Sequence, residues 1–515
     1  MAGIGPQEFL NDPLDALITM SNDALPPPRH AEVETHLAQA LQDLSKLDNE
    51  IARLKSTLAS LKAQRPLDLV KIELYRSAIA PQRRIPPELL SEIFLKCNRE
   101  QIILPVQPTK MPWVLARVCS KWRRVSIATP GLWSNVCINL MGEENTERQR
   151  NAVQSVLERS HPKFLTLKIA SKLPSIPDLI IPHMSRIQCL SLIGNPTHLA
   201  PLLSLSPRSF VSLRTLSIHV HGEGEERLSE PIMIAHGVMK LRKMTWRASY
   251  FHPGLLKFEY RHLTHLDFTE CHGYFHPNAA LVVLRQCASL VECCLSIHGL
   301  EWDDSQSQAV GEFLASDLDP GNIICVPKLE VLTVSYMSME LDHDFLPRLE
   351  LPKLRRFKAV TNNDMTWDPA STRTITTSGC LEYFHIDLEV KSADLGHLLE
   401  RAPNLVELSI GWGEPIPGDT LKLIGRGIVL PRLKIVACVL FDDEDTLAKH
   451  LDMIEERRAA AVTPAVTDFA NVNLNIVSYS MPSKKAYNLL ERAENLCDMR
   501  RSVCAMHVEL ERLEW

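Results

Sequence analysis

Glycine is scarce in this chain, at 20 of 515 residues, and the pairs Gly222/Gly224, Gly411/Gly413 and Gly425/Gly427 stand isolated. A loop that cradles phosphate needs glycines clustered ahead of a helix, so nucleotide chemistry is not expected. Metal-ligand spacing is missing too. His219/His221 and His262/His265 have no cysteine or carboxylate placed to complete a site, and no cofactor is expected. There is no Gly-x-Ser-x-Gly elbow, and no serine, cysteine or carboxylate stands in a catalytic setting. The chain therefore reads as a protein without enzymatic activity of its own.

A strong charge excess is also lacking. The net charge is -6, and no basic stripe suggests nucleic acid as a partner. No apolar run approaches the length that crosses a bilayer, so no membrane association is expected. The first residues lack the basic segment and apolar run of a secretory leader. Thirteen cysteines, an odd number, fall at apolar positions such as Cys119, Cys189, Cys293 and Cys438. Buried free thiols in a reducing compartment, cytoplasmic or nuclear, explain them better than disulfides.

What is present begins after a leader over residues 1–30, expected to be loosely ordered and closed by Pro26-Pro27-Pro28. Residues 31–80 are rich in helix formers. Their apolar residues Leu37, Leu41, Leu44, Leu47, Ile51, Leu54, Leu58 and Leu61 follow steps of 4, 3, 3, 4, 3, 4 and 3. That is a heptad seam with a stammer at Leu44–Leu47. It fits either self-association as a coiled coil or a hairpin folded back on Leu67–Ile79 after a break at Pro66.

Residues 81–137 carry a denser pattern. Pro86 and Pro87 suit only the start of a helix. Behind them Leu89, Leu90, Ile93, Phe94 and Cys97 fall on one stripe. A second helix is predicted from about Pro112 to Thr129-Pro130-Gly131, with Leu115, Val118, Cys119, Trp122 and Val125 on one face and Leu132-Trp133 after it. The order Ile85-Pro86-x-Glu88-Leu89-Leu90-x-x-Ile93-Phe94, then Val118-Cys119-x-x-Trp122, then Leu132-Trp133 closely resembles the F-box. The family has Leu where this chain has Ile85. The resemblance implies an all-α bundle that docks the Skp-type adaptor of cullin ubiquitin ligases through Ile85, Pro86, Leu89, Leu90, Ile93 and Phe94. Val118, Cys119, Trp122 and Trp133 would then form its interior.

From about residue 160 to 480 a frame of apolar-x-x-apolar-x-apolar recurs. Examples are Leu213-Leu216-Ile218, Leu263-Leu266-Phe268, Leu329-Leu332-Val334, Leu354-Phe357-Ala359, Leu381-Phe384-Ile386 and Leu405-Leu408-Ile410. Twelve frames occur, mostly 22 to 28 residues apart, with longer gaps of 39 and 36 residues. Helical stretches lie between them at Ala279–Cys287, Gln306–Leu318, Ala393–Arg401, Thr420–Gly425 and Thr446–Arg458. This spacing resembles leucine-rich repeats, in a degenerate form without the usual asparagine. The implied fold class is α/β: a curved repeat solenoid preceded by an all-α bundle and a coiled-coil helix. The polar loop Thr361–Gly379 reads as mobile. Residues 482–515, with Leu489, Leu496, Val503 and Leu510 every seven, read as a capping helix, with self-association through a coiled-coil contact as the alternative.

The frame's apolar residues should point inward, leaving the residues between them on the concave sheet face. Aromatic and arginine anchors dominate most protein contacts. The predicted target-binding residues are therefore Arg247, Arg356 and Tyr383, with Trp302 and Trp412 on nearby loops. Together with the leading helix, these features resemble the large F-box families of mushroom-forming fungi. The implied function is the substrate receptor of an SCF-type ligase, joined through its adaptor to a cullin. The competing expectation is a coiled-coil scaffold with no ligase role.

Overall fold

The structure, a computed structural model, describes residues 24–512 apart from 99, 141–145, 172–175, 196–198, 200, 203–204, 221–239, 249–259, 270–276, 298–322, 338–344, 362–364, 412, 442–443, 479–487, 490, 494 and 497–504. The chain forms two compact units, Met1–Leu89 and Leu90–Trp515.

The first unit is dominated by one helix, α1 (Pro27–Ile79), which starts on a proline and runs unbroken through Pro66. The break and hairpin expected there do not occur. Proline deletes one backbone bond and costs about 3 kcal/mol within a helix. Strong helix formers on both sides, Leu61 to Arg65 and Leu67 onward, keep the helix going. None of the described side chains of α1 is buried.

The second unit is built on a sheet of fifteen strands whose order follows the chain. It begins at β1 (Ile102–Leu104), β2 (Asn135–Leu140), β3 (Leu165–Ser171), β4 (Ile187–Gly194) and β5 (Thr215–Val220). It continues through β6 (Lys243–Ala248), β7 (His265–Phe268), β8 (Glu292–Ile297), β10 (Val331–Tyr336) and β12 (Arg356–Thr361). The last strands are β13 (Tyr383–Asp387), β14 (Glu407–Ile410), β15 (Ile435–Phe441), β16 (Asn471–Ser478) and β17 (Ala505–Arg512). Two short strands, β9 (Ile324–Cys325) and β11 (Leu349–Glu350), pair separately, also in parallel. Parallel neighbours cannot be joined by a tight turn, so each strand needs a crossover. Several crossovers are helical: α5 (Thr146–Arg159), α6 (Ile176–Ile180), α7 (Pro277–Gln286), α8 (Pro369–Thr376), α9 (Ser392–Glu400), α10 (Gly418–Gly425) and α11 (Glu444–Ala460).

Register explains why the apolar frame recurs. Its middle residues form one row across the sheet, with Leu216 beside Met244, Met244 beside Leu266 and Leu266 beside Cys293. The row goes on through Leu332, Phe357, Phe384, Leu408, Val436 and Val472. Each of these residues is buried, and burying a side chain of this size contributes roughly 1.5–3 kcal/mol. Phe357 stacks on Phe384 at 5.8 Å. Cys293 and Cys438 take core places, and burial pushes the Cys438 thiol up to about 12. Along β10, β12, β13 and β14 buried residues alternate with residues that keep solvent contact. A parallel sheet is usually covered on both faces and reads as a continuous apolar run. These strands alternate, so one face is sealed and the other is open.

Three expectations fail here. The segment from 81 to 137 is not all helical, because Ile102, Leu104, Val136, Ile138 and Leu140 are buried and place β1 and β2 at the sheet edge. Thr361–Gly379 is not simply a loop. Asp368 accepts the Ala370 N–H at 3.0 Å and caps α8, which buries Ser371, Thr372, Thr374 and Ile375. The chain's end is not a helix throughout, because β17 pairs with β16, Val472 beside Met506 and Leu474 beside Val508. Met506, Val508 and Leu510 alternate with polar residues, and that period of two suits a strand. The helix expected over Gln306–Leu318 lies outside the described residues.

In α11 a stripe of Leu447, His450, Leu451, Ile454 and Arg457 is buried. His450 Nδ1 donates to the Thr446 carbonyl at 2.7 Å. Its Nε2 has no hydrogen-bond partner among the described residues. Burial holds the His450 pKa below the ordinary histidine value. The unfolded chain therefore takes up a proton before the folded one as pH falls below about 6.5, and stability is lost through that window. The slope expected from this residue is at most about 1.4 kcal/mol per pH unit. Denaturant midpoints between pH 7.5 and 5 should fall in the native chain, and more steeply than in His450→Leu.

Candidate functional surfaces

The helices predicted to dock a partner are α2 (Pro87–Cys97), α3 (Leu115–Val118) and α4 (Ser120–Ile127). Leu90 and Phe94 of α2 are buried, while Leu89 and Ile93 are 58% and 43% exposed. The stripe read from sequence is thus split. Phe94 meets the Trp122 ring edge-on at 4.9 Å, and Ser91 Oγ lies 3.0 Å from Thr129 Oγ1. Gly131 lies so close to α2 that a Cβ there would stand 2.8 Å from Leu95 Cδ2. Leu90 and Phe94 therefore anchor the helix rather than face a partner. Ahead of it Pro86 is exposed and Ile85 half-buried.

Trp133 is fully buried. Its indole N–H donates to the Ser126 carbonyl at 2.7 Å, Trp113 meets it edge-on at 5.0 Å, and the Arg159 guanidinium lies 4.7 Å from its ring. Trp122 is half-buried. Val118, 55% exposed, and Cys119 are not interior residues. The cause is local. The predicted single helix is two, divided at Cys119, whose backbone is extended at φ -158 and ψ 172. Its Sγ accepts the Trp122 N–H at 3.5 Å and caps α4. A phase counted through a continuous helix places both residues on the wrong side.

On the open face of the sheet, Arg356 and Tyr383 are neighbours in register, with Glu407 next. The Arg356 guanidinium stacks over the Tyr383 ring at 4.3 Å. Burial, with Glu407 beside it, pushes the Tyr383 hydroxyl up. In the next open-face row Lys358 neighbours His385, and His385 neighbours Ser409. His385 Nδ1 and Ser409 Oγ are 2.8 Å apart. Burial, and then Lys358, hold the His385 pKa below the ordinary value. Thr333 and Cys294 extend this row; counting by twos from their frames would have placed both there.

Arg247 does not join that cluster. It lies 3.9 Å from Asp267, on β6, four residues beyond Lys243, whose row leads to Arg356. Four strand spacings of about 4.8 Å separate β6 from β12, which puts Arg247 roughly 20 Å or more away. Trp302 and Trp412 lie outside the described residues.

Among the described residues, no group of three or more His, Cys, Asp or Glu is placed to hold a metal ion, and no helix is long and apolar enough to cross a membrane. No protein-family model matches the chain, and no curated protein matches it.

Proposed function

We propose that this protein is the substrate receptor of an SCF-type ubiquitin ligase, with α2 as the adaptor-docking element and a leucine-rich-repeat-like solenoid as the target-holding element. The observation that carries the reading is Leu89 and Ile93, left in water on successive turns of a helix pinned down by Leu90 and Phe94. A large apolar side chain loses roughly 1.5–3 kcal/mol by staying exposed, and paired exposure on one helix face suits a partner's groove. The repeat reading is supported by strand order that follows the chain, uniformly parallel pairing and a single in-register apolar row. The open face, with Arg356 on Tyr383 and Lys358 beside His385, offers hydrogen-bonding and cationic groups. That chemistry suits a polar or acidic protein segment. The chain's part in the reaction is proximity: it holds target lysines where a separate conjugating enzyme can reach them.

The test uses the full chain with purified Skp-type adaptor. Leu89→Ala with Ile93→Asp should weaken capture about 100-fold, since two anchors at roughly 1.4 kcal/mol each give that factor. Both side chains are exposed, so the circular dichroism spectrum should stay unchanged. Adaptor capture at native strength would refute the docking assignment. In a pull-down from cell extract, Arg356→Ala with Tyr383→Ala should keep the adaptor and lose captured targets; an unchanged target set would move that site off the open face.

A further inference from the structure

Helix α1 exposes an apolar seam along most of its length, with Leu37, Leu44, Leu47, Ile51, Leu54, Leu58 and Leu61 between 47% and 62% accessible. Because the helix is continuous, its phase can be followed end to end. With Ala40 in place of Leu41 the stammer disappears. Val33, Leu37, Ala40, Leu44, Leu47, Ile51, Leu54, Leu58 and Leu61 then alternate steps of 4 and 3 without interruption. The same phase continues through Arg65 and, past Pro66, through Asp68, Ile72, Tyr75 and Ile79. Such a strict repeat is the seam of a two-stranded coiled coil.

We infer that the seam is covered by a second copy of this chain, running antiparallel. Charge distribution gives the direction. Residues 27–50 hold five carboxylates against two basic side chains, while residues 51–79 hold six basic side chains against two carboxylates. A parallel pair sets like on like along the whole length. An antiparallel pair sets the acidic half of each helix on the basic half of the other.

The seam agrees. In a parallel pair in register, Arg65 would face the partner's Arg65 and Asp68 the partner's Asp68, two like-charge contacts within the apolar stripe. In an antiparallel pair centred between Ile51 and Leu54, Arg65 lies against the partner's Ala40, which leaves room for its stem, and Asp68 lies against the partner's Leu37. Leu44 then meets the partner's Leu61, Leu47 the partner's Leu58 and Ile51 the partner's Leu54.

The flanking charges fit the same arrangement. Asp43 pairs with Lys46, and Glu50 with Arg53, within the helix. Among the described residues Asp48 and Lys55 form no ion pair. The antiparallel register brings Asp48 beside the partner's Lys55 twice by symmetry, whereas a parallel register brings Asp48 beside the partner's Asp43. A helix of 53 residues is about 80 Å long, so the two chains leave the pair at opposite ends of a rod of that length.

Sedimentation equilibrium of the full chain tests both association and direction. The native chain should be a dimer. Asp48→Lys should weaken dimerisation on the order of tenfold, because both symmetric pairs turn repulsive. Asp48→Lys with Lys55→Asp should restore native affinity. These side chains are exposed on a helix and leave its folding intact. A monomeric native chain, a larger assembly, or a dimer unchanged or strengthened by Asp48→Lys would overturn the inference; strengthening is what a parallel pair requires.

Discussion

Arg457→Ala is expected to destabilise the C-terminal half of the sheet by on the order of 4 kcal/mol. The side chain is wholly buried, an unusual place for a guanidinium. Its Nε donates to the Thr467 carbonyl at 2.7 Å and one terminal nitrogen to Ile424 at 2.8 Å. The other terminal nitrogen reaches the carbonyls of Leu430, Pro431 and Leu433 at 2.8, 2.9 and 3.3 Å. These carbonyls belong to the end of α10 and to the turns entering β15 and β16, so one side chain gathers three connections. Desolvation lowers the Arg457 pKa to about 10, which still leaves it charged at neutral pH. Alanine removes every donor at once. The Ile424, Leu430, Pro431 and Leu433 carbonyls each keep another donor, so the loss falls on five charge-assisted bonds, on the Thr467 carbonyl and on the cavity left behind. Lysine should recover only part of the loss, because a compact ammonium cannot span the fork. Chemical denaturation followed by hydrogen exchange over residues 420–475 would measure both. Native protection in Arg457→Ala would contradict the account.

The second large effect concerns the tryptophans after α2. Trp133→Ala should cost about 3–5 kcal/mol, since it opens a ring-sized cavity and takes from the Ser126 carbonyl the indole N–H that donates to it at 2.7 Å. It also removes the ring under Arg159. Trp122→Ala should cost clearly less, because its ring is half exposed and its main packing partner is Phe94. Thermal melts of the two variants side by side decide the matter, and an equal loss would mean that Trp122 is as deeply held as Trp133.

That ranking was not legible in the sequence, and the reason is physical. Both tryptophans occupy the same apolar pattern, and only the break at Cys119 turns one partly outward. A three-state pattern cannot show a helix division made by an extended residue whose own sulfur caps the next turn. Arg457 was hidden in a similar way. It and Arg458 are adjacent arginines, and only the three-residue step from Ile454 marks Arg457 as the inward one. The sheet was far easier to read. Residues such as Leu332, Phe357, Phe384 and Leu408 recur at frame positions because the register forces them into one row. Its ends were not. β1 has three residues, too few for a period, and the heptads over Leu489–Leu510 share Leu510 with the strand alternation of β17. On the open face, neighbours in register such as Arg356 and Tyr383 could be paired from the frames. The distance to Arg247 needed the strand count between them.

The agreement between strand order and chain order has a mechanical consequence. Each strand of the large sheet bonds only to that sheet's preceding and following strands in chain order, β9 and β11 being paired apart from it, so no internal pairing depends on a segment threaded from elsewhere. A pull on the C-terminus would peel β17 from β16 and then β16 from β15, like cards taken from one end of a stack. The same property makes the length of the sheet adjustable during evolution. A duplication of residues 383–406, one strand with its crossover, could enter beside the original between β13 and β14 without any other strand changing its partner's chemistry.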